Sequence, residues 1–96
     1  MFMPYDSLIG TGIRAESWLV IEPAKWSEVK PGDLIGVKTL EGDAAGYYNP
    51  QEGKVFLDPH NLNYDSLEFE QEEITELIGK VVGWHPSDDF DRITFI

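Results

Sequence analysis

The clearest strand of this sequence lies at residues 77–84, which run Leu-Ile-Gly-Lys-Val-Val-Gly-Trp. Its apolar and β-branched residues favour a strand that is buried in a sheet. Its two glycines are costly in the interior of a flat strand, because glycine loses much conformational freedom there and offers no side chain to pack. We therefore predict a bulge or strong coiling of the sheet at this strand.

Shorter strands bounded by turn residues precede it. Residues 30–33, Lys-Pro-Gly-Asp, predict a type II turn, because proline presets φ at one central position and glycine supplies the positive φ of the next. Further strands are predicted at 13–22, 34–37, 54–57, 66–69 and 92–96. Loops are predicted at 41–46 and 60–65, and a turn at 49–53. Two segments stay ambiguous: 46–48 is a strand or an ordered loop, and 71–76 is a helical turn or a strand. Many short strands with Gly and Pro turns indicate a small barrel or sandwich.

The length and composition limit the class of protein. The chain has 96 residues, 42% of them apolar, and no cysteine. This suits a single domain over residues 1–96 with an extended segment at 1–12, and it excludes a disulfide framework, a thiolate metal site and a Cys nucleophile. No stretch approaches the roughly 18–20 apolar residues of a membrane-spanning helix, and the N-terminus lacks a secretion-signal pattern, so we expect a cytoplasmic protein.

The charge limits the class of partner. Seven basic and eighteen acidic residues give a net charge of −11. Such a chain repels a phosphate backbone, so we predict no direct binding of nucleic acid and no membrane partner. Three interpretations of this charge stay open. It keeps the domain soluble, it attracts a basic protein surface, or it imitates DNA towards a DNA-binding protein. The acidic stretch from Asp65 to Glu76 is predicted to be a solvated sheet edge that blocks aggregation, and it is the best candidate surface for a basic partner.

Three stretches resemble the C-terminal domain of the LexA/UmuD/phage CI repressor peptidases. Residues 55–67, Val-Phe-Leu-Asp-Pro-His-Asn-Leu-Asn-Tyr-Asp-Ser-Leu, are similar to a strand, a Pro-x-Asn loop and a return strand of that family. Residues 74–83 are similar to the following strand, and 30–37 to the family's Pro-Gly-Asp turn. The resemblance implies a divergent and shortened LexA-like domain. Its fold would be mostly β, with little helix and a coiled, barrel-like sheet of the β-ribbon or beta-clip type.

The same resemblance implies a candidate Ser–Lys dyad. Residues 13–18, Ile-Arg-Ala-Glu-Ser-Trp, resemble the family's Val-x-Gly-Asp-Ser-Met block and make Ser17 the candidate nucleophile. Residues 37–40, Val-Lys-Thr-Leu, have the letters of the general-base block and make Lys38 the candidate base. That block belongs on a downstream hairpin, whereas Lys38 directly continues the Gly-Asp strand. A dyad needs a lysine within hydrogen-bond reach of the serine, so we predict that catalysis by Ser17 and Lys38 has been lost.

Three functions are therefore considered. The resemblance favours a non-catalytic, self-associating regulatory domain of the phage-repressor type, which pairs with a second copy or with another LexA-like domain. The alternatives are an active self-cleaving peptidase and an acidic inhibitor or DNA mimic of mobile-element origin. The last strand ends on Phe95 and Ile96, and it needs a partner strand in the same sheet or in another subunit.

No cofactor or metal site is predicted. His60, His85, Asp58, Asp88 and Asp89 have ligand chemistry, but their spacing fits no common metal motif, and loop solvation is the simpler interpretation. The three tryptophans are predicted to be core residues, with the second of them partly exposed beside a turn; they are Trp18, Trp26 and Trp84.

Overall fold

A computed structural model describes all of residues 1–96. Its eight strands are β1 (Phe2–Met3), β2 (Ser17–Glu22), β3 (Leu34–Thr39), β4 (Gly42–Gln51), β5 (Lys54–Asp58), β6 (Leu67–Glu70), β7 (Ile74–Pro86) and β8 (Thr94–Phe95). Three single 3₁₀ turns span Ile9–Thr11, Trp26–Glu28 and Gln71–Glu73. The strands form one antiparallel sheet in the order β1-β2-β7-β3-β4-β5-β6, and β8 also pairs with β7. The prediction of a mostly β fold with little helix is confirmed.

Strand β7 organises this sheet. Its C-terminal half pairs with β2, its N-terminal half pairs with β3, and β8 adds to it at Gly83 and Trp84. The successive partners of β7 skip Thr75, Ile78 and Val82. Each skipped residue is a bulge, which bends a strand and increases its twist. The sequence-based expectation of bulges or coiling in residues 77–84 is confirmed, and the bulges curl the sheet.

The curl creates two apolar cores. The first core contains Met3, Leu8, Ile13, Leu19, Leu34, Ala45 and Val81, and the second core contains Ile35, Val37, Val55 and Leu57. Leu34 and Ile35 are consecutive residues of β3, so their side chains point to opposite faces of the sheet. The N-terminal segment covers the first core, because Met3, Leu8 and Ile13 all belong to it. The sheet itself must enclose the second core.

The tryptophan predictions succeed only in part. Trp84 packs against the first core, and Trp26 is 45% exposed, as expected beside a turn. Trp18 is 38% exposed, so its prediction as a core residue is wrong. The physical reason is the period-2 alternation of β2. Its neighbours Ser17 and Leu19 point inward and are buried, which leaves Trp18 on the outer face.

Two loop predictions are also corrected. Most of the loop predicted at 41–46 belongs to β4, which pairs with β3 from Gly42 onward. The turn predicted at 49–53 is shorter, because Pro50 still pairs with Val55 within the β4–β5 hairpin. The chain reverses at Glu52 and Gly53, both of which have positive φ. That backbone matches the two-residue hairpin turns preferred by twisted strands.

The acidic edge predicted over Asp65 to Glu76 is confirmed only in part. Glu68 and Glu70 lie on β6, the last strand of the sheet order, whereas Glu76 lies on β7, inside the sheet. Lys54 on β5 lies between the two β6 carboxylates, with its Nζ 3.4 Å from Glu68 and 3.6 Å from Glu70. Both carboxylates are about half exposed, and together they outnumber the single lysine, so β6 keeps a negative charge that discourages pairing with another sheet edge. None of the helical segments has the length and apolar character that crossing a membrane requires.

The Pro-Gly-Asp turn is held by Asp33. Its carboxylate accepts a hydrogen bond from the Lys30 N–H at 2.8 Å and lies 3.3 Å from the Lys80 ammonium on β7. The Lys30 backbone bond first, and then Lys80, hold the pKa of Asp33 below its usual value of 3.8. A carboxyl group with a depressed pKa stabilises the fold above its unfolded-state pKa, and this contribution is lost as the pH falls through the folded-state value.

We expect Asp33→Asn to lower the free energy of unfolding at neutral pH by more than it does in acid. The difference between the two proteins should be constant above about pH 5 and should shrink below about pH 4. Urea unfolding of both proteins across this range measures it. A difference that stays the same at every pH would mean that the ionised carboxylate contributes nothing.

Candidate functional site

The candidate nucleophile Ser17 opens β2 and is only 1% exposed. Its hydroxyl donates a hydrogen bond to the Arg14 carbonyl oxygen at 2.7 Å, across a turn in which Glu16 has a φ of 57°. The cavity beside it is lined by Arg14, Ala15, Glu16, Ser17, Pro86, Ser87 and Asp88. No lysine lines this cavity, and the observed hydroxyl bond closes the turn.

The candidate base Lys38 lies near the end of β3. Its Nζ is 3.5 Å from Glu76 Oε2, and both side chains are more than half exposed. Glu76 is also its pairing partner on β7, whereas Ser17 is paired with Pro86, ten residues further along the same strand. At roughly 3.3 Å per residue, ten residues span about 30 Å, slightly less where the strand bulges. The structure therefore does not bring Ser17 and Lys38 together.

A different serine lines an apolar cleft. One cavity of about 180 Å³ is lined by Tyr5, Ser7, Ala45, Leu57, Pro59, Tyr64, Asp65 and Leu67. A second, more open cavity shares four of these residues and extends along Met1–Pro4 and Glu41–Ala44. We call the combined depression the Ser7 cleft, after the shared residues Tyr5, Ser7, Ala45 and Leu67. Clefts of this kind, apolar with a few polar groups, are the usual sites for binding a ligand or peptide.

The Pro-x-Asn loop positions Ser7. The Ser7 carbonyl accepts a hydrogen bond from the His60 N–H at 2.7 Å, and the His60 carbonyl accepts one from the Gly10 N–H at 2.8 Å. The Asn61 side-chain amide donates to the Asp6 carbonyl at 3.0 Å. A Cβ at Gly10 would overlap the His60 ring, so a larger residue cannot approach this closely. The loop after β5 thus binds the backbone on both sides of Ser7.

Two further polar contacts tie the cleft together. A hydrogen bond to the Asp6 carboxylate favours the neutral phenol and raises the pKa of Tyr64 above its usual value. Thr11 Oγ1 makes hydrogen bonds with the Tyr47 hydroxyl and with His60 Nδ1, the latter at 3.0 Å. Neither cavity of the Ser7 cleft is lined by a lysine or an arginine. The cleft can therefore offer a hydroxyl, a phenol and a carboxylate to a bound segment.

The sequence matches a known family. The family model described as Peptidase S24-like matches residues 5–82, more than half of the chain. The chain belongs to the peptidase S24-like family. This assignment confirms the resemblance to LexA-type repressor domains that the sequence blocks indicated. No curated protein matched the sequence.

The S24-like assignment draws attention to Ser7, which the motif analysis missed. Asp6-Ser7-Leu8 has the Asp-Ser pair of the Val-x-Gly-Asp-Ser-Met block, followed by an apolar residue, and it lies within the matched range. Leu8 is fully buried in the first core, so it anchors the chain directly after Ser7. The Asp-Ser pair in these three residues is the sequence signal that could have identified Ser7. The sequence favoured Ser17 as the nucleophile because the Ile13–Trp18 segment leads directly into a clear strand.

The other candidate ligands remain apart. No group of three or more His, Asp or Glu side chains is arranged to hold a metal ion. His60 bonds to Thr11, while His85 Nδ1 lies 2.9 Å from the Pro86 carbonyl and its ring packs 5.0 Å from Phe90. Asp58 accepts hydrogen bonds from Asn49 and Ser66.

Proposed function

We propose that this S24-like chain is a non-catalytic, self-associating regulatory domain that works in the cytoplasm through protein contacts, as a domain of the phage-repressor type. The observation that carries this proposal is an exposed aromatic face on β1, β2, β7 and β8. We call it the outer aromatic face and define it by Phe2, Trp18, His85, Phe90 and Phe95.

Strand register aligns the first half of this face. Phe2 pairs with Trp18, and Trp18 pairs with His85, so the three side chains lie side by side on one surface of the sheet. The Phe2 and Trp18 rings meet edge to face, with their centroids 5.2 Å apart. The Phe90 ring then packs against His85 at 5.0 Å. The result is an aromatic row that crosses three strands.

The C-terminal strand extends this row. Phe95 pairs with Gly83, two residues before His85 and therefore on the same face of β7. The Phe95 ring packs beside Gly83, 3.3 Å from the point that a Cβ there would occupy, and Phe95 is still 70% exposed. Ile93 and Ile96 beside it are also exposed. A monomer seldom leaves so many large apolar side chains adjacent on one surface, so we infer that a partner covers them.

The expected partner is a second copy. Strand β8 occupies an edge of the sheet, and its side away from β7 presents unpaired backbone groups next to the apolar face. A self-complementary surface of this kind closes into a two-fold dimer when the same patch meets itself. Each copy carries a charge of −11, so their repulsion opposes association and is screened by salt.

We expect light scattering behind size-exclusion chromatography to show a dimer at high protein concentration that is favoured by added salt. Screening shortens the range of the repulsion between the two acidic copies to less than about 10 Å above 0.1 M salt. The apolar contact is not weakened by such salt. A monomer at millimolar concentration in both low and high salt would refute the proposal.

The non-catalytic part of the proposal rests on the lining of the serine sites. Self-cleavage by a serine and a lysine requires the amine to take the hydroxyl proton, and no lysine lines the cavities at Ser7 or Ser17. We expect the chain to stay intact by mass spectrometry after prolonged incubation at about pH 10, where much of the lysine is deprotonated. Fragments that disappear in Ser7→Ala or Ser17→Ala would establish an active peptidase instead.

A further inference from the structure

A second feature lies at the other end of β7, away from the outer aromatic face. Trp26, Tyr48, Val55, Gln71 and Ile74 line an open recess of about 300 Å³. The Trp26 and Tyr48 rings pack against each other with their centroids 5.8 Å apart and their planes at 48°, so they form one aromatic wall of the recess. Nearly half of the Trp26 surface is exposed although the second core lies close by. We call this feature the Trp26 recess.

The walls of the recess are fixed by two capped turns. Trp26 begins the Trp26–Glu28 turn, in which Glu28 Oε1 accepts a hydrogen bond from the Lys25 N–H at 2.9 Å. Gln71 begins the Gln71–Glu73 turn, which is closed by the equivalent bond between Glu73 and the Glu70 N–H. A carboxylate that accepts a hydrogen bond from the backbone N–H preceding its turn helps to hold the short turn in one conformation. The two lining side chains therefore project from ordered backbone.

The charge around the recess is negative. Glu28 belongs to the same turn as Trp26, and Glu72 and Glu73 belong to the same turn as Gln71. Glu72 forms no ion pair and no side-chain hydrogen bond, and the side chains that line the recess are uncharged. Lys25 precedes the first turn, and the Lys54 ammonium lies 3.6 Å from Glu70, which precedes the second; neither lysine lines the recess. An uncharged aromatic recess whose two flanking turns carry Glu28, Glu72 and Glu73 is complementary to a cation on an apolar stem.

We propose that the Trp26 recess binds an arginine side chain of a basic partner protein. The planar guanidinium stacks on the Trp26 indole face, where cation–π attraction is strongest. The three methylenes of the arginine stem contact Val55 and Ile74. The Gln71 amide oxygen accepts a guanidinium hydrogen bond, and the Glu72 carboxylate neutralises the charge. The net charge of −11 draws such a partner towards the domain.

The test is a titration of the ¹⁵N-labelled domain with an acetylated and amidated Ala-Arg-Ala peptide, followed by NMR. The matched probe is the same peptide with citrulline, which has the shape of arginine without its charge. We expect shifts in the Trp26 indole N–H and in the backbone of Gln71 and Ile74 with the arginine peptide only. Trp26→Leu identifies the indole signal and should weaken binding about fivefold or more. Glu72→Gln should weaken it about two- to threefold, whereas Glu16→Gln, which removes an equal charge elsewhere, should leave it unchanged.

Several outcomes would overturn this inference. Shifts spread over the acidic surface, with equal effects of Glu72→Gln and Glu16→Gln, would mean that charge alone attracts the peptide. Equal responses to arginine and citrulline would remove the role of the cation. Shifts of the Trp26 signal on raising protein concentration without peptide would assign the recess to a contact between copies. A mutation on the outer aromatic face leaves this titration unaltered, so the two proposals fail or stand separately.

Discussion

Gly79→Ala is expected to destabilise the domain by about 3 kcal/mol or more, a large part of the roughly 5–14 kcal/mol that a chain of this length possesses. Gly79 sits at the point where β7 changes partners, and it has a φ of 151°. A Cβ at this position would overlap the Glu22 carbonyl oxygen on β2. Backbone cannot move aside as a flexible side chain can, so the β2–β7 pairing must separate. Urea unfolding measures the loss, and failure to express folded protein is the extreme of the same result.

Gly53→Ala provides the matched control. Gly53 also has a positive φ, of 81°, but nothing lies within 4 Å of its hypothetical Cβ. Its substitution therefore carries only the conformational cost of placing alanine in a left-handed region, about 1–2 kcal/mol. If the two variants lost equal stability, the close approach of β2 and β7 would have no energetic role.

Phe95→Asp is expected to convert the proposed dimer to a monomer, with an association constant lower by about 100-fold or more. The effect is large because a two-fold interface contains each substituted position twice, and buried aromatic anchors are commonly worth about 2 kcal/mol each. The substitution also adds a negative charge to each of two acidic surfaces. Phe95 is largely exposed in the single chain, so the fold of the monomer should survive. Sedimentation equilibrium over a range of concentrations gives the constants.

Leu62→Asp is the control for charge and lost apolar area. Leu62 is fully exposed in the loop after β5 and takes no part in the outer aromatic face. The Leu62→Asp substitution makes the same change of charge and should leave the association constant nearly unaltered. Dimers that persist in Phe95→Asp, or that dissociate equally in both variants, would place the interface elsewhere.

Much of the fold follows from local chemistry. The Pro-Gly-Asp turn and the strand behind it could be predicted because proline and glycine restrict φ in a known way. The bulged nature of residues 77–84 could be predicted because its glycines oppose a flat strand. The family could be inferred from residues 55–83, whose turn and strand order is distinctive, and the family match confirms it.

The site could not be predicted in the same way. Ser17 and Lys38 each sat in a plausible motif, but the register of β2 and β3 on β7 separates them by about ten residues of strand. Ser7 lies in the cleft because its carbonyl bonds to His60, more than fifty residues away in the sequence. The burial of Trp18 was mispredicted because β2 buries only one face, so the alternation that buries Ser17 and Leu19 leaves Trp18 exposed.

The sequence alone thus determined the Pro-Gly-Asp turn, the mostly β character, the family and the net charge of −11. Each of these depends on local backbone preference, an ordered motif or summed charge. Tertiary structure alone decided which serine lines the cleft, which lysines stay away from it and which aromatic residues remain uncovered. These are questions of distance between residues far apart in the chain. Strand register and the three bulges of β7 set those distances, and residue type carries almost no information about them.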